Sequence, residues 1–126
     1  MRGSTPLGRV LGLGSAKDGA GHWWVQRVTA VALVPLTIWF LLSLAALPLA
    51  DHAAVTAWVR HGLHAVPLAV LVLTLCAHSR LGVQVVIEDY VHHHALKITS
   101  LLLSTFAHAL VAATGVFAVL RIALAA

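Results

Sequence analysis

The chain has 126 residues, 60% of them hydrophobic and only 10% charged, far below the charged content of about 25% usual in soluble domains. A soluble core of this size cannot bury so much apolar surface, so lipid must be the solvent for much of it, in keeping with a mean hydropathy of +0.95. A net charge of +4 in such a chain speaks for membrane topology and anionic headgroups, and no aromatic-interleaved basic patch argues for nucleic acid.

Residues 1–21, "MRGSTPLGRVLGLGSAKDGAG", are Gly-rich with scattered basic residues. Their apolar residues never form a continuous signal-peptide core, and they read as a mobile tail on one side of the membrane. Residues 22–126 read as a single membrane domain with no internal repeat. Trp23 and Trp24 in "HWWVQR" resemble an aromatic belt at headgroup level. A first apolar span is expected over about 28–49, long enough at 1.5 Å per residue to cross a bilayer. Pro35 lies inside it, which a membrane helix tolerates with a kink. Residues 51–60, "DHAAVTAWVR", form a short amphiphilic connection with Trp58 as a second belt marker. A second span is expected over about 63–87. Residues 92–97, "HHHALK", read as a tight turn region, and a third span over about 98–123 follows. Gly115 and several Ser, Thr and Ala residues in the third span permit close helix approach. Cys76 is the single cysteine. It permits neither an internal disulfide nor a cysteine-ligated cluster, and reads as a small apolar residue within the second span.

Flanking charges set an orientation. Arg2, Arg9, Lys17, Arg27 and Lys97 lie on one side, against Arg60 and Arg121 on the other. The positive-inside rule therefore puts the N-terminus and the turn after the second span on the cytoplasmic or matrix side.

Ionisable residues within a span are functional hypotheses by default. His78, Gly82, Val85 and Asp89 recur at i, i+4, i+7 and i+11 and line one stripe of the second helix. Gly82 removes a side chain one turn from His78, which suits a flat, bulky group such as a haem whose axial ligand is the histidine. A histidine hydrogen-bonded between helices is the plainer reading. Glu88, Asp89 and Tyr90 fall where the helix reaches water. They read either as a polar helix end with a belt tyrosine or as a site for a quinone. A quinone needs two electrons and two protons; a Tyr hydroxyl can donate to its carbonyl, and a neighbouring carboxylate can orient the tyrosine or pass protons. His92, His93 and His94 step by about 100° on a helix and cannot converge on one metal, so a solvated loop is expected there. His108, in mid-span of the third helix, is expected to bond across helices, with a second haem ligand as the alternative. Arg80 lies about 200° around from His78 and is expected to snorkel or pair with a neighbouring subunit. Arg27 snorkels, or else pairs with an anionic cofactor group.

At these residues the chain resembles the D-type membrane-anchor subunit of succinate dehydrogenase, respiratory complex II. The family pattern is a histidine, a glycine four later, then Gln-Val, and an Asp-Tyr pair continuing Val-His. Here the stretch reads "HSRLGVQVVIEDYVH", with His78, Gly82, Gln84, Val85, Asp89, Tyr90, Val91 and His92 in place. "QRVTAVALVPL", Gln26 to Leu36, is similar to the start of the family's first helix. The resemblance covers residues 22–97 in motif, and the remainder only in length and hydropathy.

It implies an all-α, three-span membrane protein, the anchor half of a haem b-binding helix bundle. His78 would be an axial ligand to haem b, with the second histidine from a C-type partner anchor. Tyr90 and Asp89 would belong to the ubiquinone site, and Arg27 and Gly82 to the haem pocket, the arginine near the propionates. Flavoprotein and iron–sulfur subunits would be docked partners, in a bacterial cytoplasmic or mitochondrial inner membrane. No residue would be catalytic in the strict sense, because the chain has neither a dinucleotide fingerprint nor a cysteine cluster. Arg80 stands where some relatives have an aromatic residue, and His108 matches nothing in the pattern. The competing readings are a self-contained cytochrome b using His78 and His108, the anchor of a fumarate reductase, and a small transporter or assembly factor with His78 and Asp89 as a proton relay.

Overall fold

A computed structural model describes the backbone of residues 16–125 and the side chains from Ala20 to Ala125. It contains four helices in this region: α1 (Ala16–Ala46), α2 (His52–Arg60), α3 (Gly62–Tyr90) and α4 (His94–Ala123). Three of them, α1, α3 and α4, are long and apolar enough to cross a membrane. Backbone polar groups have no water to bond in hydrocarbon, so a helix that satisfies them internally is the form such segments must take.

Helix α1 already includes the residues that precede the apolar span expected from about residue 28, back to Ala16, the first described residue; residues 1–15 lie outside the described residues. Hydropathy marks where a helix enters lipid, whereas its hydrogen bonds continue into the headgroup layer. The same helix stops at Ala46, short of the expected residue 49. Pro48 disfavours the helical backbone at Leu47 and has no N–H of its own to continue the ladder. The chain turns there, with the Asp51 N–H donating to the Pro48 carbonyl at 2.8 Å. Pro35 lies inside α1, which runs on through it.

Asp51 then caps α2: its carboxylate accepts from the backbone N–H groups of Ala53 (2.9 Å) and Ala54 (3.3 Å), satisfying donors that a helix start leaves orphaned. The expected amphiphilic connection is thus a capped helix that buries Val59. His61 ends α2 and precedes α3 in extended backbone (φ −68°, ψ 120°), forming a one-residue corner. The turn after α3 is shorter than the expected 92–97. Val91 and His93 are extended, and α4 has begun by His94. With 29 and 30 residues, α3 and α4 are about 43–45 Å long, against about 30 Å of hydrocarbon, so their ends stand in the headgroup region.

Helix α3 is central, packed against α1 on one side and α4 on the other; α2 bridges α3 and α4. Among the described residues α1 and α4 do not pack together. Among the described residues only Val59, Ala65, Leu71, Leu81 and Val119 are buried. Large apolar side chains such as Val31, Leu42, Leu103 and Phe106 stay exposed along the long helices, where lipid or another subunit must cover them. Close approach of α3 and α4 depends on Gly115, where an added Cβ would stand 2.8 Å from a Val72 methyl. Helix α1 is tied to the α2–α3 corner by stacked rings: Trp39 on Trp58 (centroids 5.6 Å apart) and Trp58 on His64 (4.6 Å).

Candidate functional site

His78 lies near the middle of α3, half-buried on the side facing α1. Its Nδ1 is 3.0 Å from Thr29 Oγ1 on α1. The Thr29 hydroxyl itself is 2.8 Å from the Val25 carbonyl and 3.1 Å from that of Gln26, the back-bonding that hydroxyl residues make within helices. His78 Nε2 makes no hydrogen bond among the described residues. One turn along the same stripe, a Cβ built on Gly82 would meet no atom within 4 Å. A histidine anchored through one nitrogen, with the other free and open space beside the next turn, fits the demands of a haem ligand. The second nitrogen of a metal-bound imidazole normally donates to such an oxygen.

Asp89, further along the stripe, and its neighbour Tyr90 are the last residues of α3, and both are exposed, Tyr90 to 78%. Neither the Asp89 carboxylate nor the Tyr90 hydroxyl is hydrogen-bonded among the described residues. The backbone beneath them is pinned. Gln84 Nε2 donates to Glu88 Oε1 (2.8 Å), Lys97 Nζ to the Glu88 carbonyl (2.8 Å), and the Val91 N–H to the Ile87 carbonyl (3.0 Å). Lys97, from the first turn of α4, thus supplies a cation at the C-terminus of α3, where the helix dipole favours one. Two polar side chains therefore stand free on a fixed platform. The structure does not bring them together with His78: eleven residues of helix separate His78 and Asp89, about 16 Å.

Arg27 is exposed with its guanidinium 5.5 Å from the centre of the Trp23 ring, a cation–π contact. It lies two residues before Thr29, about 200° around α1, so its backbone position looks away from the His78 contact. Arg80 does leave the ligand stripe, as expected. With Gln84, Leu101, Leu102, Ser104 and Thr105 it lines a cleft of about 180 Å³ between α3 and α4. His108 makes the expected cross-helix bond: Nε2 lies 3.2 Å from Ser79 Oγ on α3, and Nδ1 lies 2.7 Å from the Ser104 carbonyl one turn back. His78 faces α1 and His108 is engaged through both nitrogens on the α4 side, so the two imidazoles do not converge. The histidine run separates by role. His92 Nδ1 is 3.0 Å from the Tyr90 carbonyl, His93 precedes α4, and His94 opens it.

Three residues of α1 join the site that the sequence reading passed over. His22, Gln26 and Thr29 recur at i, i+4 and i+7, and so share the face that meets α3. Buried atoms of two of them, His22 Nε2 and Gln26 Oε1, have no hydrogen-bond partner among the described residues. The spacing was visible in "HWWVQRVT", but the paired tryptophans made that stretch read as a membrane belt.

A family model described as succinate dehydrogenase/fumarate reductase transmembrane subunit matches residues 1–120. The chain is 38% identical over 86 residues to the succinate dehydrogenase hydrophobic membrane anchor subunit of Rickettsia bellii, covering 68% of this chain and 69% of that one. It is 32% identical over 126 residues to the subunit of the same name from Paracoccus denitrificans, covering 100% of this chain and 97% of the relative. A succinate dehydrogenase membrane anchor subunit of Reclinomonas americana is 32% identical over 90 residues, covering 69% and 75%. No solved structure gives a significant match. A family match over nearly the whole chain, together with three membrane-capable helices, makes this chain a member of the succinate dehydrogenase/fumarate reductase transmembrane subunit family.

Proposed function

We propose that the chain is the D-type membrane-anchor subunit of a succinate:ubiquinone oxidoreductase. It docks the flavoprotein and iron–sulfur subunits, and with a C-type partner anchor it forms the haem b and quinone sites. The observation that carries this reading is the state of His78: mid-span, held at Nδ1, free at Nε2 and flanked by the open space at Gly82. In lipid an unneeded imidazole is expensive, and this one is oriented as a ligand is. The membrane is the cytoplasmic membrane of a bacterium or the mitochondrial inner membrane, with the N-terminus on the cytoplasmic or matrix side.

His78 would hold haem b through a ring nitrogen, with a second ligand from the partner anchor. When bound, the haem would supply a one-electron store. Gly82 leaves room for the porphyrin face. Arg27, two residues before Thr29 on α1, is a cation that would serve a propionate once its side chain leaves Trp23. Ubiquinone, as acceptor of electrons that the partner subunits would take from succinate, would be reduced near the end of α3. There Tyr90 donates a hydrogen bond that orients a quinone carbonyl, and Asp89, open to water, orients the tyrosine or relays protons.

Geometry weighs against two competitors. A self-contained bis-histidine cytochrome needs His78 and His108 to converge, and they are held on different sides of α3. A proton relay from Asp89 to His78 would have to pass Val85 and Gly82, which carry no exchangeable side-chain proton. The anchor of a fumarate reductase would use the same parts with electrons running the other way.

The test is His78→Ala in the assembled complex. The b-type haem signal in the reduced-minus-oxidised spectrum is lost or strongly altered, while succinate oxidation by a soluble dye continues. An unchanged haem spectrum in that complex would sink the ligand assignment.

A further inference from the structure

Lipid leaves few polar atoms within reach of a mid-span histidine. The side chain that reaches His78 is Thr29, from a different helix. A threonine hydroxyl has one proton and two lone pairs. Two backbone carbonyls, of Val25 and Gln26, stand 2.8 and 3.1 Å from Thr29 Oγ1 and can only accept. The proton goes to them. The oxygen is then left with lone pairs facing His78 Nδ1 at 3.0 Å, so it is the ring nitrogen that donates. An imidazole with its proton on Nδ1 has an unprotonated Nε2, the form that binds a metal. The same contact holds the ring plane between α1 and α3.

We infer that Thr29 is the positioning residue of the haem ligand: by accepting from Nδ1–H it selects the tautomer of His78 that ligates through Nε2 and raises that nitrogen's donor strength. The inference rests on His78 being an axial ligand. It extends that reading to a residue of α1 that neither touches the iron nor belongs to the motif on α3. Thr29 accordingly acts on the electronics of the site. Losing the acceptor leaves a weaker donor to iron, which favours the reduced metal and moves the haem midpoint potential upward.

The test uses the whole purified complex with Thr29→Val, which keeps the branched shape but loses the hydroxyl, and Thr29→Ser, which keeps the hydroxyl. The haem stays bound in both. Thr29→Val shifts the midpoint potential upward and alters the low-spin signal in electron paramagnetic resonance, and Thr29→Ser restores both. Where the valine chain does not assemble, Thr29→Ala makes the same comparison. Unchanged potential and signal in the valine or alanine complex overturn the inference. So does an equal shift in valine and serine complexes, which would trace the effect to shape. His78→Ala run in parallel separates the two levels. If it retains the native haem signal, the ligand assignment fails; if it loses the signal while the Thr29 variants are silent, only the role of Thr29 fails.

Discussion

His78 and Tyr90 share one helix, yet twelve residues, about 18 Å, place them in different solvents. The imidazole lies at a depth where every polar atom needs a protein partner, and it has one in Thr29. The phenol stands 78% exposed where α3 ends, with a free hydroxyl on a backbone that Lys97 holds. Tyr90→Phe is expected to lower ubiquinone reduction by on the order of ten-fold through one lost hydrogen bond, while succinate oxidation by a soluble dye is spared. Measuring both activities on one preparation checks it; equal loss of both would indicate faulty assembly instead. Much at this scale was legible in the sequence. Steps of 100° put His78, Gly82 and Asp89 on one stripe and turned Arg80 away from it. Thr29 was not legible as a partner of His78, because that pairing depends on the register of α1 against α3, which no local spacing encodes.

Single residues also decide how the helices end and meet. Pro48 terminates α1 and Asp51 starts α2, both by local chemistry, where the span expected from hydropathy runs on to about residue 49. That α1 already includes residues 16–27 was not legible in the sequence, because hydropathy reports the solvent and not the hydrogen bonding. Gly115 was read as permitting close approach, and α4 does approach α3 there, an added Cβ falling 2.8 Å from Val72 Cγ1. Gly115→Ala gains some helix propensity, up to about 1 kcal/mol. The overlap, with a cost typically about 1–3 kcal/mol for overpacking, outweighs it. Thermal unfolding of the solubilised complex is expected at lower temperature for Gly115→Ala, with recovery in the double variant Gly115→Ala, Val72→Ala. A double variant no better than the single one would show that the contact with Val72 is not the cause.

For the molecule as a whole, the open arrangement matters most. Helix α3 is central, α1 and α4 do not meet among the described residues, and large apolar side chains face outward. Lipid or another subunit must cover such a surface. The charge asymmetry across the spans is expected to set which way the bundle points. Reporter fusions placed before Met1 and after Ala126 are expected to lie on opposite sides of the membrane, as an odd number of spans requires, with the N-terminal one cytoplasmic. An N-terminal reporter found on the outer face would reverse the placement of Asp89 and Tyr90, and with it the docking side for the iron–sulfur partner.

By itself the sequence determined the solvent, the number of spans, the stripe through His78 and the membership that its motif implied. Each of these follows from composition, from a period of 3.6 residues, or from rare residue types at long spacing. Only the tertiary structure decided that His78 is held by Thr29, that His108 is committed to Ser79 and the Ser104 carbonyl, and that Arg27 looks away from the ligand stripe toward Trp23. Those outcomes depend on how three helices rotate and slide against one another. The apolar residues that drive packing lie on nearly every face of each helix, so periodicity alone cannot choose which polar side chains meet.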